Sequence, residues 1–370
     1  MNQTPFQIHR SGYEQWRRCR RRFYFDYLAT LPGAHESTPK GLASTRSSPD
    51  LAIGSAFHAA MESSLQKNSY STGIERAVTE IRKSAEKEWS GCMLGYQDEA
   101  TAYYEQMAHA MAWVAHYLVA PIILDRFTVH YTEKELPPIQ FEKYPGLEMA
   151  SRPDAILEDV TGDIVLASWK TCSSVSSELE RAVFYDTQGL SESACFYMVT
   201  GKWPSVQMVY VVKGRRIAKD VPFVRYEGPL TRAYRKEYAK GGVAISPKYT
   251  NGWEKVNVFD LPSGPEAYWK EHFLSNPFPE YLPYFMPPAA NRSKKRAMDW
   301  LKNNIFPDMH SAINRPHSLE HFPADESLDA CFAFGVECGW RDACHELIQI
   351  SEIPNIGPRI PHHERDTNDD

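Results

Sequence analysis

The segment "SRPDAILEDVTGDIVLASWKT", residues 151–171, sets two short apolar runs on either side of a turn-forming "VTGD", which predicts two strands joined by a turn. Strand character extends over "RFTVHYTEKEL" and "GLEMASRPDAILED" before the turn, "DIVLASWKT" after it and, later, "SVQMVYVVKG". Between the last two, "DTQGLSESACFYMVTG" has helical spacing. A hairpin followed by a crossover helix and a further strand points to an α/β core, because joining parallel strands needs a connection of that length. The hairpin sets Asp154 near the end of its first strand and Lys170 near the end of its second.

The surroundings are mostly helical. A first helix is predicted over Ser11–Leu28, with Ser11 as N-cap and Tyr13, Trp16, Phe23 and Tyr27 as a partial apolar stripe. "PGAHESTPKGLASTRSSPD" has loop composition, a helix opens at Leu51, and two more are expected between Gly73 and Tyr117. Residues 222–288 are rich in Pro and aromatics, with helical character in "GPEAYWKEHFL", and "SKKRAMDWLKNNI" predicts a late helix. The resulting divisions are an N-terminal helix (1–30), a loop (31–50), a helical region (51–125), a core (126–220), a helical and irregular insertion (221–327), a cysteine segment (328–350) and a polar tail (351–370) expected to be disordered. With 42% hydrophobic residues in 370, the chain can bury one large core with insertions. No signal-like h-region and no run of eighteen apolar residues is read, so a cytoplasmic protein without a membrane span is expected.

Charge narrows the function classes. A net charge of -6 argues against a general nucleic-acid coat protein, since binding to phosphate needs clustered Lys and Arg. Two local runs, "RRCRRRF" at 17–23 and "NRSKKRAMDW" at 291–300, combine cations with aromatics, as a phosphate-tracking groove or an ordinary solvated helix face would. Phosphodiester hydrolysis needs a divalent cation on hard oxygen ligands and a positive group that holds the attacking water or the developing charge. Asp154 and Lys170 supply the minimum for that, but an ordinary surface hairpin would carry the same pair. His58, in "IGSAFHAAMESSL", adds an imidazole able to reach a metal, and Gln188 and Glu192, four apart, project from one face of the crossover helix.

Read together, "SGYEQWRRCRRRFYFDYL", "GSAFH", "RPD", "SWKT", the crossover-helix glutamine and the C-terminal cysteines resemble, in order, the PD-(D/E)xK signature of RecB-like exonucleases with an iron–sulfur cluster, known from phages, AddB subunits and CRISPR adaptation. The resemblance implies a central mixed β-sheet flanked by helices, a restriction-endonuclease-like core. It also implies Mg2+- or Mn2+-dependent cleavage of DNA, single-stranded ends as substrate, and a recombination or replication protein as partner. His58 and Asp154 take the places of metal ligands, the Trp169 backbone carbonyl of a further ligand, Lys170 of the catalytic lysine, and Gln188 of the glutamine in the helical QxxxY motif. Two positions depart: Ser168 stands where the family has Asp or Glu, and Glu192 where the motif has Tyr.

The departures leave three expectations. The acid has migrated to the helix, so that Glu192 joins Asp154 and His58 on the cation; or the site is non-catalytic, by nature or by engineering, and the fold survives as a DNA-binding or complex-assembly protein; or activity persists without a second acid. Glu178, Glu180 and Asp186 are weaker candidates for the acid. The seven cysteines are read as thiols or metal ligands. Cys331, Cys338 and Cys344 need a fourth ligand; taken alone they suit buried thiols or zinc with His345. The resemblance implies a 4Fe-4S cluster completed by Cys19, clamping the two ends of the chain together. Cys92, Cys172 and Cys195 are expected to be ordinary buried thiols. Beside Cys19, some of Arg17, Arg18, Arg20, Arg21 and Arg22 are expected to meet DNA phosphates, and at least two of Trp16, Phe23 and Tyr24 to pack in the core.

Overall fold

The strand "SVQMVYVV" lacks alternation because both of its faces are covered, and Val206–Val212 are all buried. The structure, a computed structural model, describes residues 5–30, 41–44, 49–86, 97–172, 179, 186–212, 221–224, 253–256, 264–270, 284–325, 338, 340–344 and 356–358. In chain order, β1 (Phe6–Ile8), α1 (Arg10–Arg18) and α2 (Arg20–Phe23) precede β2 (Leu42–Ser44) and the helices α3 (Pro49–Lys67), α4 (Tyr70–Ala85), α5 (Gln97–Val114) and α6 (Ala120–Arg126). Strands β3 (Phe127–Thr132), β4 (Leu136–Gln140), β5 (Leu147–Ser151), β6 (Ala155–Asp159) and β7 (Ile164–Cys172) follow, then α7 (Thr187–Thr200) and β8 (Ser205–Val212). The described elements end with β9 (Val221–Val224), β10 (Trp253–Val256), α8 (Gly264–Trp269), β11 (Tyr284–Phe285), α9 (Lys294–Trp300), α10 (Phe306–Ile313), α11 (Arg341–Cys344) and β12 (Ile356–Pro358).

The central sheet has the order β11-β8-β7-β6-β3 and is mixed, with β7 and β8 parallel and the other pairs antiparallel. A smaller sheet, β1-β5-β4, lies beside it. The β6–β7 hairpin closes through Asp159, whose carboxylate accepts from the backbone N–H of Thr161 (2.8 Å) and Asp163 (3.0 Å), while Gly162 takes φ +85°. Crossover helix α7 starts on Asp186, which accepts from Gly189 N–H at 3.0 Å, and stops on Gly201 at φ +75°.

Alternation along β7 divides the core. Val165, Ala167 and Trp169 belong to an apolar cluster with Phe57, Met61 and Met111 of α3 and α5. Leu166 belongs to the opposite cluster, with Leu190 and Phe196 of α7 and Trp16 of α1. Ser168 shares the parity of Leu166 and so faces α7, which determines what the site can contain.

Three expectations change. The N-terminal helix is interrupted at Cys19, whose φ of -155° is extended, and His9 rather than Ser11 is the N-cap of α1. The loop and the tail, both expected to lack structure, contain β2 and β12, which pair antiparallel through Ser44 and Ile356. Each short strand gains its partner from more than 300 residues away, so local composition carries no trace of it. The helical run Ala100–Arg126 is long and apolar enough to cross a membrane by length and composition, but 67% of its apolar window is buried within the fold.

Candidate metal centre

Asp154 is positioned by the hairpin register. Ala155 pairs with Ala167, so Asp154, just before β6, lies across from Ser168 at the open end of the hairpin. Its Oδ2 accepts from Trp169 N–H at 2.6 Å and from the Ser168 hydroxyl at 3.1 Å. With that oxygen held, Oδ1 faces His58 on α3, 3.5 Å from Nδ1.

A third ligand group is Glu133, a residue the sequence reading passes over inside "RFTVHYTEKEL". It sits one residue beyond β3 at φ +50°, a left-handed conformation that a non-glycine residue adopts at a cost of roughly 1 kcal/mol. Its N–H donates to the Asp154 carbonyl at 3.0 Å, which fixes the turn and directs the side chain back at His58. Glu133 Oε1 is 3.2 Å from His58 Nδ1, and the opposite ring nitrogen, Nε2, is 3.1 Å from the Trp169 carbonyl oxygen. His58, Glu133 and Asp154 each offer one ligand atom within 4.8 Å of the others, and among the described residues no other group of three or more His, Cys, Asp or Glu does so.

The electrostatics fit a bound cation. Burial pulls the His58 imidazole down, but the charge of Asp154 and the bond and charge of Glu133 outweigh it and raise its pKa. Both ring nitrogens face acceptors, and the two carboxylates on the Nδ1 side are negative charge that a divalent ion would balance. One nitrogen and two carboxylates suit Mg2+ or Mn2+, whereas the Trp169 carbonyl, expected as a further ligand, lies at the opposite ring nitrogen. Lys170 is close enough to act on His58 and on Glu192, lowering both.

Glu192 stands outside this triad. Gln188 Nε2 donates to Ser168 Oγ (3.2 Å) and to Glu192 Oε1 (2.8 Å), so the helix acid is joined to Asp154 through Gln188 and Ser168. Glu192 is 4% exposed, and its Oε2 is buried without a hydrogen-bond partner. Burial first, then the charge of Asp154, pushes its carboxyl up to about 8 against the pull of Lys170. A folded-state pKa above the ordinary 4.5 means stability present at low pH and lost as pH rises through about 8. In chelator, the denaturation midpoint is therefore expected to fall between mildly acidic and mildly alkaline pH. Glu192→Gln should flatten that profile, with a gain on the order of a few kcal/mol at the alkaline end. Equal profiles for the two proteins would show that Glu192 is not buried as described.

Asp186, as the N-cap of α7, is turned to the helix backbone, and Glu178 and Glu180 lie outside the described residues. The basic run has a divided fate. Arg21 donates to the carbonyls of Phe322 (3.1 Å) and Cys344 (2.7 Å), and Arg22 pairs with Asp26 at 3.5 Å. Arg20 lies over Trp16, 5.0 Å from the ring centroid, and Arg17, Arg18 and Arg20 are exposed. Trp16 and Phe23 are core residues. In the second run Lys295 pairs with Asp299 and Lys294 lies over Tyr197.

The cysteines at the two ends do approach. The Cys19 and Cys344 sulfurs lie close enough to share a proton, which lowers Cys19 against its burial and raises Cys344. Cys338 is raised, by burial first, and also feels Cys19. Cys331 and Cys92 lie outside the described residues. Cys195 is buried, which pushes its thiol up to about 12, and Cys172 is half-buried.

A family model described as "PD-(D/E)XK nuclease superfamily" matches residues 10–259. No curated protein matches the chain. Among solved structures, a crystal structure of SSO0001 matches at 17% identity and a TM-score of 0.20, covering 32% of this chain. The match spans 56% of that protein's own chain.

Proposed function

Since the chain belongs to the PD-(D/E)XK nuclease superfamily, we propose that it is a divalent-metal-dependent deoxyribonuclease that digests single-stranded DNA from an end. The convergence of His58, Glu133 and Asp154 beside Lys170 carries this reading. Mg2+ or Mn2+, when bound, supplies Lewis-acid polarisation of the scissile phosphate and a more acidic water. His58, Asp154 and Glu133 would hold it, with the Trp169 carbonyl facing the same imidazole. Lys170 contributes a fixed positive charge where the attacking water and the developing phosphate charge must sit. Ser168 keeps Asp154 Oδ2 occupied, and Gln188 holds the Ser168 hydroxyl in the orientation that donates to it.

The preference for single-stranded ends rests on the likeness to RecB-like exonucleases. So do action in recombination, repair or phage DNA processing, a cytoplasmic setting with a recombination or replication partner, and a 4Fe-4S cluster on Cys19, Cys331, Cys338 and Cys344. The approach of Cys19 to Cys344, with Cys338 near enough to act on both, is the observation in favour of the cluster.

Ser168 supports a second reading, a DNA-holding protein whose site has been switched off, because a neutral hydroxyl stands where an acid would strengthen the cation's hold. One experiment separates them: end-labelled single-stranded DNA with anaerobically purified protein in Mn2+, with and without chelator, and Ser168→Asp alongside. Metal-dependent cutting by the parent is the expected result, with a rise of about tenfold in the variant as a carboxylate enters beside Asp154. A silent parent with an active variant would replace the enzyme by the holding protein.

A further inference from the structure

A cleft opens beside the metal triad, between the start of α1 and the end of β5. We propose that it binds a phosphate group of the substrate strand next to the scissile one, through Arg10, Arg152 and the first backbone N–H groups of α1. The proposal rests on the nuclease reading and deepens it.

The α1 wall is built for an anion. His9, the N-cap, is extended and makes no side-chain capping bond. Gly12 and Tyr13 return their N–H groups to the His9 carbonyl, at 2.9 and 3.3 Å, whereas those of Arg10 and Ser11 find no acceptor among the described residues. Such a terminus carries roughly half a positive charge. Arg10 adds a guanidinium with five donors, of which Nη1 is engaged by Glu14 at 2.8 Å. Its fixed fork suits two phosphate oxygens at once.

The opposite wall ties the cleft to the chemistry. Arg152, the residue after β5, lines the cleft and places its Nε 3.5 Å from Glu133 Oε2. Glu133 Oε1 faces His58, so a single side chain separates the cleft from the triad. A cation taken up by Glu133 would weaken the carboxylate's hold on Arg152 and leave the guanidinium for a neighbouring phosphate.

The base of the cleft supplies an independent sign of a ligand site. Glu192 is 4% exposed, lines the cleft, and has an Oε2 with no partner. A buried oxygen without a partner costs about 1–3 kcal/mol, a cost that the neutral carboxyl favoured by burial could remove by donating its proton to a phosphate oxygen in the cleft. Burial disfavours the charged carboxylate there, so it opposes an anion less than an ionised acid would. Glu135 also lines the cleft and is the acid an anion must avoid.

The test measures binding of a fluorescent oligothymidylate to the full chain in Ca2+, which supports binding with slow cutting. Arg10→Gln and, separately, Arg152→Gln are each compared with the parent across a salt series, with thermal melts confirming folding. Each is expected to weaken binding about tenfold and to lower the salt slope by about 0.7. The probes carry a 5′ phosphate, a 5′ hydroxyl, or one uncharged methylphosphonate linkage at successive positions. The occupant is the phosphate whose removal weakens the parent but adds nothing in Arg10→Gln, which tells a terminal group from an internal linkage. A parent that binds, with both variants matching it in affinity and slope, overturns the cleft assignment alone. A parent that fails to bind any of the probes overturns the nuclease reading and the cleft with it.

Discussion

Glu133→Gln is expected to cut single-stranded DNA at least a hundredfold more slowly than the parent in Mn2+, and to bind the ion about 10- to 100-fold more weakly. The substitution keeps the shape of the side chain, so the φ +50° turn and the N–H bond to the Asp154 carbonyl should survive it. What it removes is one of two negative charges facing His58. The loss should match that of Lys170→Ala in rate, but only Glu133→Gln should be partly relieved by raising the Mn2+ concentration. Glu192→Gln provides the contrast. Because Glu192 reaches Asp154 only through Gln188 and Ser168, its amide is expected to stay within about tenfold of the parent. Rate and isothermal ion-binding measurements on the three variants decide the matter. If Glu192→Gln proves the more damaging, the acid has moved to the helix, and Glu133 is no more than an ion-pair partner of His58 and Arg152.

That contrast shows where reading the sequence stops. The hairpin, the crossover helix and the buried strand after it are legible because each has a period or a turn that its own residues impose, and Asp154, Lys170 and Gln188 come with them. The opposition of Asp154 to Ser168 follows once the register is known, since side chains in a pair of strands alternate. Glu133 has no such signal. It is one acid in a charged stretch that also holds Glu135, and only its left-handed backbone, bonded to a residue 21 positions later, turns it towards the imidazole. The basic run divides for a related reason. "RRCRRRF" is a cation cluster in one dimension, but Arg21 and Arg22 are committed to the C-terminal segment and to Asp26. The cleft's own arginines, Arg10 and Arg152, are isolated in sequence and meet only across the fold.

Cys19→Ser is expected to abolish the proposed iron–sulfur cluster and, with it, much of the chain's resistance to heat. Cys19 lies between α1 and α2, with its sulfur accepting from Arg22 N–H at 3.5 Å and close to the Cys344 thiol. Around it Phe25, Ala29 and Leu42 pack with Trp340, Ala343 and Cys344, and Trp340 Nε1 donates to Asp26 at 2.7 Å. Two chain ends more than 300 residues apart are thus joined by a small apolar cluster and a few hydrogen bonds. Closing so long a loop is costly in entropy, and multiple thiolate–metal bonds would offset that cost where this cluster alone is small. Serine keeps the volume and loses the thiolate. The anaerobically purified variant should lack stoichiometric iron and acid-labile sulfide and melt roughly 5 °C below the parent, about 3–5 kcal/mol for a domain of this size. Phe25→Ala, which disturbs the packing without touching sulfur, should lower the melting temperature and keep the iron. A parent without iron and sulfide, or a Cys19→Ser protein that retains both, would rule out the cluster at these residues. A parent holding stoichiometric zinc instead would assign the thiols to that ion.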